Sequence, residues 1–453
     1  MFGKPLGELI YQDIVDLVQL RKEAEGQHLD YKQSIESTDK GKKDLAEDVA
    51  SFANANGGYL IFGITDNKEI IGIEEKIEGR PIIEWLNQVL SSKIEPIVFY
   101  TDPKPIEIPN SKKIILVLHI PESTKKPHYC TADSRYRLRV NDRNLHASHY
   151  QIRDMFEFSK NRANDLNDFL KEKNLFSETD ENFGENFNTK RLANDITYLI
   201  TNWGMTGSIQ PKEKTPKVIF SLIPTDISSK KMEQSIPELK LWMEKNIKGY
   251  QPLTQFDLIR TYNPDPAHNG IVYRVAHNHY SSLSYFEILR NGYVEVGFSN
   301  SVCLLKKNKV YDSAEYFITL TPIVGYALML LGFAKKFYEY IQYHGEIKYQ
   351  LSFANVLNYK LTAFNEQYSM TDYLSNSDKK NRYTNSFKIV EELLPSQLDY
   401  ESIVNIVKPH ALTICNAFGV DSDCCFYDDN RISLGYMPEI HKFQDHRKEY
   451  KGR

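Results

Sequence analysis

The chain has 453 residues, of which 41% are hydrophobic and 26% charged, with a formal net charge of −4 at pH 7. That composition describes a soluble globular protein too long for one ordinary core, so two or three domains are expected. A slightly acidic total excludes a global electrostatic pull toward nucleic acid, so any such binding must use a local basic patch. Five cysteines, Cys130, Cys303, Cys415, Cys424 and Cys425, form no CxxC pair and no even framework, which fits a reduced, cytoplasmic setting. The amino-terminal run MFGKPLGELIYQDIVDL has acids inside its apolar stretch and does not have the layout of a signal peptide.

In chain order, residues 12–23 read as a helix, 28–33 as a strand and 43–56 as a second helix. Strands are expected over 59–65 and 69–73, around a turn at Asp66-Asn67-Lys68. Residues 81–91 read as a helix with Ile82, Ile83, Leu86, Val89 and Leu90 on a broad apolar face and Pro81 in its first turn. Residues 113–120 form a buried strand, 135–140 an alternating one, and 148–159 a closing helix, so residues 1–160 make one α+β domain. A polar stretch, 161–190, allows a short helix over 166–171, and its acidic, Asn-rich part, 177–188, reads as the linker.

Residues 191–453 read as a second mixed α/β domain with a sensing or dimerising role. It opens with a strand over 217–223 and a helix over 235–245. The runs SYFEILR and YVEVGF flank Asn291-Gly292 and form the clearest hairpin in the chain. Residues 316–334 carry no charge over a length close to the ~20 residues that span a bilayer. Thr319, Thr321 and Pro322 interrupt them, so they read as a strand, a break and a buried helix over 322–343. IKYQLSF is strand-like. His277 and His279, with His268 nearby, lack an obvious third ligand and read as a polar surface strand rather than a zinc site. Cys424 and Cys425 are adjacent and poorly placed to chelate together, and the basic tail HKFQDHRKEYKGR reads as a solvated end.

The stretch with chemistry in it is LAEDVASFANANGGYLIFGITD, residues 45–66. An amphipathic helix ends in Asn56-Gly57-Gly58, where glycine permits a left-handed cap and close backbone approach. An apolar strand then delivers Asp66. Upstream, on strand 28–33, His28, Asp30 and Lys32 share one face while Leu29 and Tyr31 share the other. Glu25 lies just before, across Gly26. If strand 59–65 pairs beside strand 28–33, Asp66 reaches the same place. Phosphodiester hydrolysis needs oxygen ligands for a hard divalent cation and positive charge for the developing oxyanion. In this reading Glu25, Asp30 and Asp66 are the ligands, Lys32 contacts the phosphate, and His28 is a proton carrier or phosphate donor. The structural alternative is an exposed edge with a surface ion pair, and an ordinary turn at Asp66.

Glu25-x4-Asp30-Tyr31-Lys32, the helix ending ASFANANGG, YLIFGITDN and the following IIGI together resemble the Schlafen-type AlbA-like domain. That family's usual pattern is Glu-x4-Glu-Phe-Lys followed by a SAFANxxGG–apolar–GVxD run. KKPHY (125–129) and YRLRVNDRNLHAS (136–148) resemble its later Pro-Tyr and Tyr-x-Arg-x-Gly-Ser elements, with Asn141-Asp142 where Gly-Ser is common. The resemblance covers residues 10–158. It implies an AlbA-type mixed sheet with helices, and nucleic-acid binding. By analogy with the Schlafen ribonucleases it also implies metal-dependent cleavage of tRNA or other structured RNA, with Mg2+ or Mn2+ on the acids Glu25, Asp30 and Asp66. Phage defence or toxin-like translation arrest would follow, and one lobe in place of two implies a homodimer. The family's occasional ATPase label finds no support: no GxxxxGK[ST] loop occurs, and Gly57-Gly58 closes a helix instead of opening one.

Lys125, Lys126, Arg135, Arg137, Arg139 and Arg143 lie within nineteen residues of sequence. Arg135, Arg137 and Arg139 share one strand face, a plausible row for tracking phosphates, with His128 and Tyr129 available for base stacking. The alternative is a solvated strand face. These features give two function classes: a metal-dependent endoribonuclease, or a non-catalytic nucleic-acid-binding transcriptional regulator in which the acids are structural. A third reading, an interaction or sensor protein, places the function in residues 190–453.

Overall fold

The computed structural model describes residues 2, 6–100, 103–173, 217–227, 232, 235–247, 265–267, 270–277, 282–299, 304–308, 314–362 and 386–419. The chain divides into two compact units. One is Met1–Leu166 with Tyr338–Glu346 and Leu394–Ser396; the other is Asn167–Phe337 with Ile347–Leu393 and Gln397–Arg453. Each mixes helix and sheet, so the fold class is α+β.

In the first unit, α1 (Tyr11–Val15) continues through a wider π-type turn, Asp16–Leu20, and buries Ile14, Leu17 and Val18. Strand β1 (Leu29–Lys32) runs parallel to β2 (Gly58–Phe62), with Asp30 beside Leu60. Parallel neighbours need a crossover, and α2 (Asp39–Asn54) supplies it. Thr38 caps α2 by accepting the Gly41 N–H at 3.1 Å. Past its end Gly57 takes φ +72°, and a Cβ there would lie 2.6 Å from the Glu122 amide nitrogen, so only glycine fits.

Two two-residue strands, β3 (Lys76–Ile77) and β4 (Arg80–Pro81), precede α3 (Ile82–Lys93) and β5 (Ile94–Glu95). Then follow β6 (Lys104–Glu107), β7 (Ile114–Ile120), β8 (Tyr129–Cys130), β9 (Arg135–Val140) and β10 (Arg143–His146). One sheet has the order β1-β2-β7-β6 and a second β10-β9-β8-β5. Leu60, Phe62, Leu116 and Leu118 pack with Val49, Phe52, Trp85 and Leu86 on one side of the first sheet. Leu29, Tyr31, Ile61 and Val117 pack with Ile14, Leu17 and Val18 on the other.

Two expectations about this unit need correction. Residues 69–73 are not a strand, having only isolated bridges from Ile70 to Ile64 and from Ile73 to Ile114. Gly63, at φ +97°, turns the chain so tightly that its carbonyl accepts the amides of both Ile71 and Gly72. That contact replaces a ladder. The closing helix, α4 (His149–Glu172), runs a full 24 residues, through the region where the polar stretch begins. Residues 177–188 lie outside the described residues.

Asn54, the last residue of α2, joins helix to second sheet. Its side chain donates to the carbonyls of His128 (2.8 Å) and Arg137 (2.7 Å) and accepts the His128 N–H (2.7 Å). Asn54→Ala strands three buried backbone groups, and a loss of about 2–4 kcal/mol is expected from net values near 1 kcal/mol per bond. Hydrogen exchange of β9 amides reads this directly; a loss below about 1 kcal/mol would mean that water replaces the amide.

In the second unit, strands β11 (Lys217–Pro224), β12 (Asp265–Ala267), β13 (Gly270–His277), β14 (Ser282–Leu289), β15 (Val294–Ser299), β18 (Ile347–Ala354) and β20 (Ser386–Leu393) form a sheet of order β12-β13-β14-β15-β11-β18-β20. A smaller sheet contains β16 (Leu304–Asn308), β17 (Ala314–Thr319) and β19 (Lys360–Thr362). The Asn291-Gly292 hairpin joins β14 to β15 as expected. Helix α5 (Ile236–Ile247) sets Trp242 against Phe333 and Phe337 of α6 (Leu320–Tyr340), whose Tyr326 meets Phe220 and Phe298 of the sheet. The uncharged run 316–334 is thus split between β17 and α6, and no helix among the described residues is long and apolar enough to cross a membrane. Helix α7 (Tyr400–Ala417), capped by Asp399, is an element the sequence reading passes over, although Ile403, Val404, Val407, Ala411 and Ile414 carry its period. His277 lies on β13; His268, His279, Cys424, Cys425 and the basic tail fall outside the described residues.

Candidate phosphodiester site

Strand β1 alternates as the sequence requires. Leu29 and Tyr31 enter the core, while Asp30 and Lys32 face α2 and β9. Lys32 Nζ lies 3.0 Å from Asp30 Oδ2 and 3.0 Å from Asp48 Oδ2, so one ammonium bridges two carboxylates. Both acids are buried, at 5% and 8% exposure, whereas the Lys32 side chain is 34% exposed and keeps one side toward solvent.

Arg139 closes the other side. Its guanidinium lies 3.4 Å from Asp30, donates to the carbonyls of Gly26 (3.1 Å) and Leu29 (3.3 Å) and to Asn144 Oδ1 (3.3 Å), and stacks on Phe52. Asn144 in turn donates to Asp48 Oδ1 at 2.5 Å and accepts from Ser51 at 2.7 Å. Burial pushes the Asp48 carboxyl up to about 6, more than Lys32 and Asn144 pull it down. Burial works against the Lys32 ammonium too, but Asp48 and Asp30 outweigh it and hold its pKa above the ordinary value. Asp48 carries the cost because it shares the Lys32 ammonium with Asp30.

The other expected residues are distributed around this centre. Glu25 is exposed, and its Oε1 accepts the Tyr31 N–H at 2.9 Å. Strand β2 does pair beside β1, but it ends at Phe62 and leaves Asp66 exposed in the following turn. Lys68, in the same turn, sits 3.8 Å over the Tyr31 ring; burial lowers its pKa, against the raising influence of Glu25, Asp30 and Asp66. His28 is exposed and held by its Nδ1 at 3.0 Å from the Gly57 carbonyl oxygen. Among the described residues, no three His, Cys, Asp or Glu side chains are grouped to hold a metal ion. Glu25, Asp30 and Asp66 therefore do not form a three-carboxylate cage here, because Asp30 is enclosed by Lys32, Asp48 and Arg139 while Glu25 and Asp66 stand outside.

Mg2+, however, is commonly held by one or two carboxylates with substrate phosphate and water completing its shell. Asp30 and Asp48 are the two neighbouring carboxylates that such a mode would use, and Lys32 Nζ stands between them in this structure.

The basic row differs from the expectation in a simple way. Arg137 and Arg139 share the β9 face that packs on α2, not a solvated face. Arg137 Nη2 lies 2.6 Å from Glu47 and 2.9 Å from Asp133, and Arg139 is 2% exposed. Lys126 is buried against Phe158 and pairs with Glu122 at 2.6 Å. Lys125, though exposed, pairs with Glu346 at 2.9 Å. Arg135 and Arg143 are exposed, the first 3.3 Å from His146. His128 is buried between the Pro96 carbonyl and Ser123, at 2.7 Å from each, and burial lowers its pKa to about 4, so it offers no stacking face. Tyr129 meets Tyr136 edge-on at 5.6 Å.

Sequence reasoning misses Asp48 and Asn144. The available signal is a polar stripe, Glu47, Asp48, Ser51 and Asn54, at helical spacing in a helix half whose remaining positions are apolar.

Residues 25–148 match the family model described as Schlafen, AlbA_2. The amino-terminal unit carries a Schlafen AlbA_2 domain. No curated protein matches the chain. Among solved structures, the DIP2311 protein from Corynebacterium diphtheriae is similar at 22% identity and a TM-score of 0.24, over 33% of this chain and 28% of its own. That likeness carries no structural argument. The Schlafen AlbA_2 match points to nucleic-acid binding or nuclease-like chemistry.

Proposed function

We propose that the Schlafen AlbA_2 domain is a metal-dependent endoribonuclease acting on tRNA or another structured RNA, and that its cleavage arrests translation, as in phage defence or a toxin. The observation that carries this reading is the buried Asp30–Lys32–Asp48 group. Two buried carboxylates, one of them also meeting Arg139, bracket a lysine that keeps one side toward solvent, and that arrangement supports a site where a phosphate and a divalent cation would meet. Asp30 and Asp48 would hold Mg2+ or Mn2+, which supplies Lewis-acid stabilisation of phosphate charge when bound.

The chain's own residues do the rest. Lys32 is the cation with a solvent-facing side, placed to meet a phosphate oxygen. Asp48, whose carboxyl burial raises to about 6 in the metal-free chain, would have to release its proton for the cation to bind, which makes cation binding pH-dependent. Arg139 and Asn144 fix the two carboxylates and exclude water behind them. Arg135 and Arg143, the exposed members of the basic row, contact the RNA backbone.

The test is incubation of the full chain with tRNA at graded Mn2+ and after EDTA treatment. Metal-dependent cleavage by the wild type, lost in Asp30→Asn, is the expected result. RNA retention without cleavage under all metal conditions would instead establish the non-catalytic binding role.

A further inference from the structure

Lys32 Nζ lies 3.0 Å from Asp30 Oδ2 and 3.0 Å from Asp48 Oδ2, so one nitrogen fills the space between two carboxylate oxygens. Each acid also has a second holder. Asn144 donates to Asp48 Oδ1 at 2.5 Å, and Arg139 lies 3.4 Å from Asp30 Oδ2. Arg139 and Asn144 meet each other at 3.3 Å, and the Gly26 and Leu29 carbonyls hold the guanidinium. The two carboxylates therefore keep their places without the lysine.

Lys32 is held otherwise. Its main chain is fixed, since it pairs with Phe62 in the sheet and its carbonyl accepts the Gly63 N–H at 2.7 Å. Its ammonium has Asp30 and Asp48 as partners, on a flexible four-carbon stem that is 34% exposed while their side chains are 7% and 11% exposed. The ammonium can turn out through its open side with no change of backbone. Inward, it balances the charge, because two carboxylates face one ammonium and one guanidinium. Outward, it leaves a buried carboxylate uncompensated, a costly state unless another cation replaces it. The inward ammonium and a divalent cation held by the same two acids exclude each other, because both need the same oxygens and carry the same sign.

We propose, resting on the nuclease reading above, that Lys32 is the resident plug of the cation site and that an RNA phosphate draws it out, so that RNA and the divalent cation bind cooperatively. A cation arriving alone has to displace the ammonium. A phosphate arriving alone leaves the acids short of one positive charge. When both arrive, the two costs cancel: Lys32 turns its ammonium to the phosphate oxygen, and Asp30 and Asp48 are released to the cation. Such coupling is reciprocal, so RNA tightens cation binding by the same factor as the cation tightens RNA binding. The centre thereby stays closed to divalent cations until an RNA strand is at hand.

The test follows Mn2+ uptake by the full chain through electron paramagnetic resonance at about pH 8, with the uptake of tRNA alone subtracted wherever tRNA is added. Without RNA, Lys32→Met should bind Mn2+ about 10-fold or more tightly than the wild type, since the competing ammonium is gone. Addition of tRNA should tighten Mn2+ binding to the wild type by about 10-fold or more, and to Lys32→Met by less than about 3-fold. Asp30→Asn should abolish the uptake in both backgrounds. A second measurement needs no variant and decides the matter should Lys32→Met not fold: acylation of lysine amines, read by mass spectrometry. Saturating Mg2+ without RNA should raise the modification of Lys32 several-fold and leave the exposed Lys160 unchanged. Wild-type Mn2+ affinity indifferent to tRNA, alongside metal-dependent tRNA cleavage, would overturn the coupling and leave the nuclease reading standing. So would a Lys32→Met chain that binds Mn2+ no more tightly, or Lys32 modification unmoved by Mg2+. Absence of Mn2+ uptake in every chain, with and without tRNA, would overturn the nuclease reading as well.

Discussion

Hydrogen exchange from α2 is expected to lose a large pH-dependent component between about pH 4 and 6 when Asp48 is replaced by asparagine. In the folded chain burial raises the Asp48 carboxyl from 3.8 to about 6. Between those values the folded state holds a proton that the unfolded state has released, so this residue's contribution to stability falls as pH rises. Above about 6 both states are ionised, and the buried charge costs roughly 3 kcal/mol at 1.36 kcal/mol per pKa unit. Below the unfolded value both states are protonated and the cost vanishes. The asparagine keeps the shape and still accepts from Asn144, but it has no proton to bind. The stability of Asp48→Asn relative to wild type should thus be greatest near pH 7 and decline by roughly 3 kcal/mol by pH 4. Parallel profiles for the two chains would show that Asp48 titrates as an ordinary surface acid and is not enclosed with Lys32 and Asn144. Exchange is the suitable probe because it isolates this unit within a chain of two.

The second large effect is at Arg139. Leucine at this position should destabilise the first unit by about 3–5 kcal/mol, the usual consequence of removing one partner from a buried ion pair. The guanidinium serves Asp30, two backbone carbonyls and Asn144 while lying over Phe52, and leucine supplies none of these donors. Arg143→Leu, an exposed change on the next strand, should alter stability by under about 0.5 kcal/mol. In a double-mutant cycle, Asp30→Asn with Arg139→Leu should cost clearly less than the two singles summed, because the first removes the charge that the second strands. A loss below about 1 kcal/mol for Arg139→Leu would return this residue to the role of a dispensable surface cation.

These two residues also mark where sequence reading succeeds and where it stops. The alternation of β1, the amphipathic α2, the glycine cap and the parallel pairing of β1 with β2 are all legible, because each follows from a local period or a local backbone requirement. Asp30 and Lys32 stand out together for the same reason. What periodicity cannot say is which polar face meets solvent. Arg135, Arg137 and Arg139 do share a face, as the alternation demands, but beyond the exposed Arg135 that face packs on α2, where Arg137 finds Glu47 and Arg139 finds Phe52. A row of like charges on a strand carries no label of its tertiary neighbour. Likewise Asp66 does follow an apolar strand, yet the Gly63 turn leads it out to solvent. Residues 69–73 have a strand's composition and lose the ladder to that same turn. In the second unit the Asn291-Gly292 hairpin is plain because turn chemistry is local, while α7 goes unread despite a clear apolar period.

In the proposed function Asp30, Lys32 and Asp48 act as one centre for phosphodiester cleavage. The most direct measurement is the single-turnover rate of tRNA cleavage in Mn2+ by the wild type, Asp30→Asn, Asp48→Asn, Glu25→Gln and Asp66→Asn. Losses of about 100-fold or more in the first two variants, with smaller losses at Glu25 and Asp66, are predicted from the usual size of a general acid–base or charge-stabilising contribution. Cleavage that survives both Asp30→Asn and Asp48→Asn, or that is abolished at Glu25 and Asp66 while Asp48→Asn stays active, would contradict it.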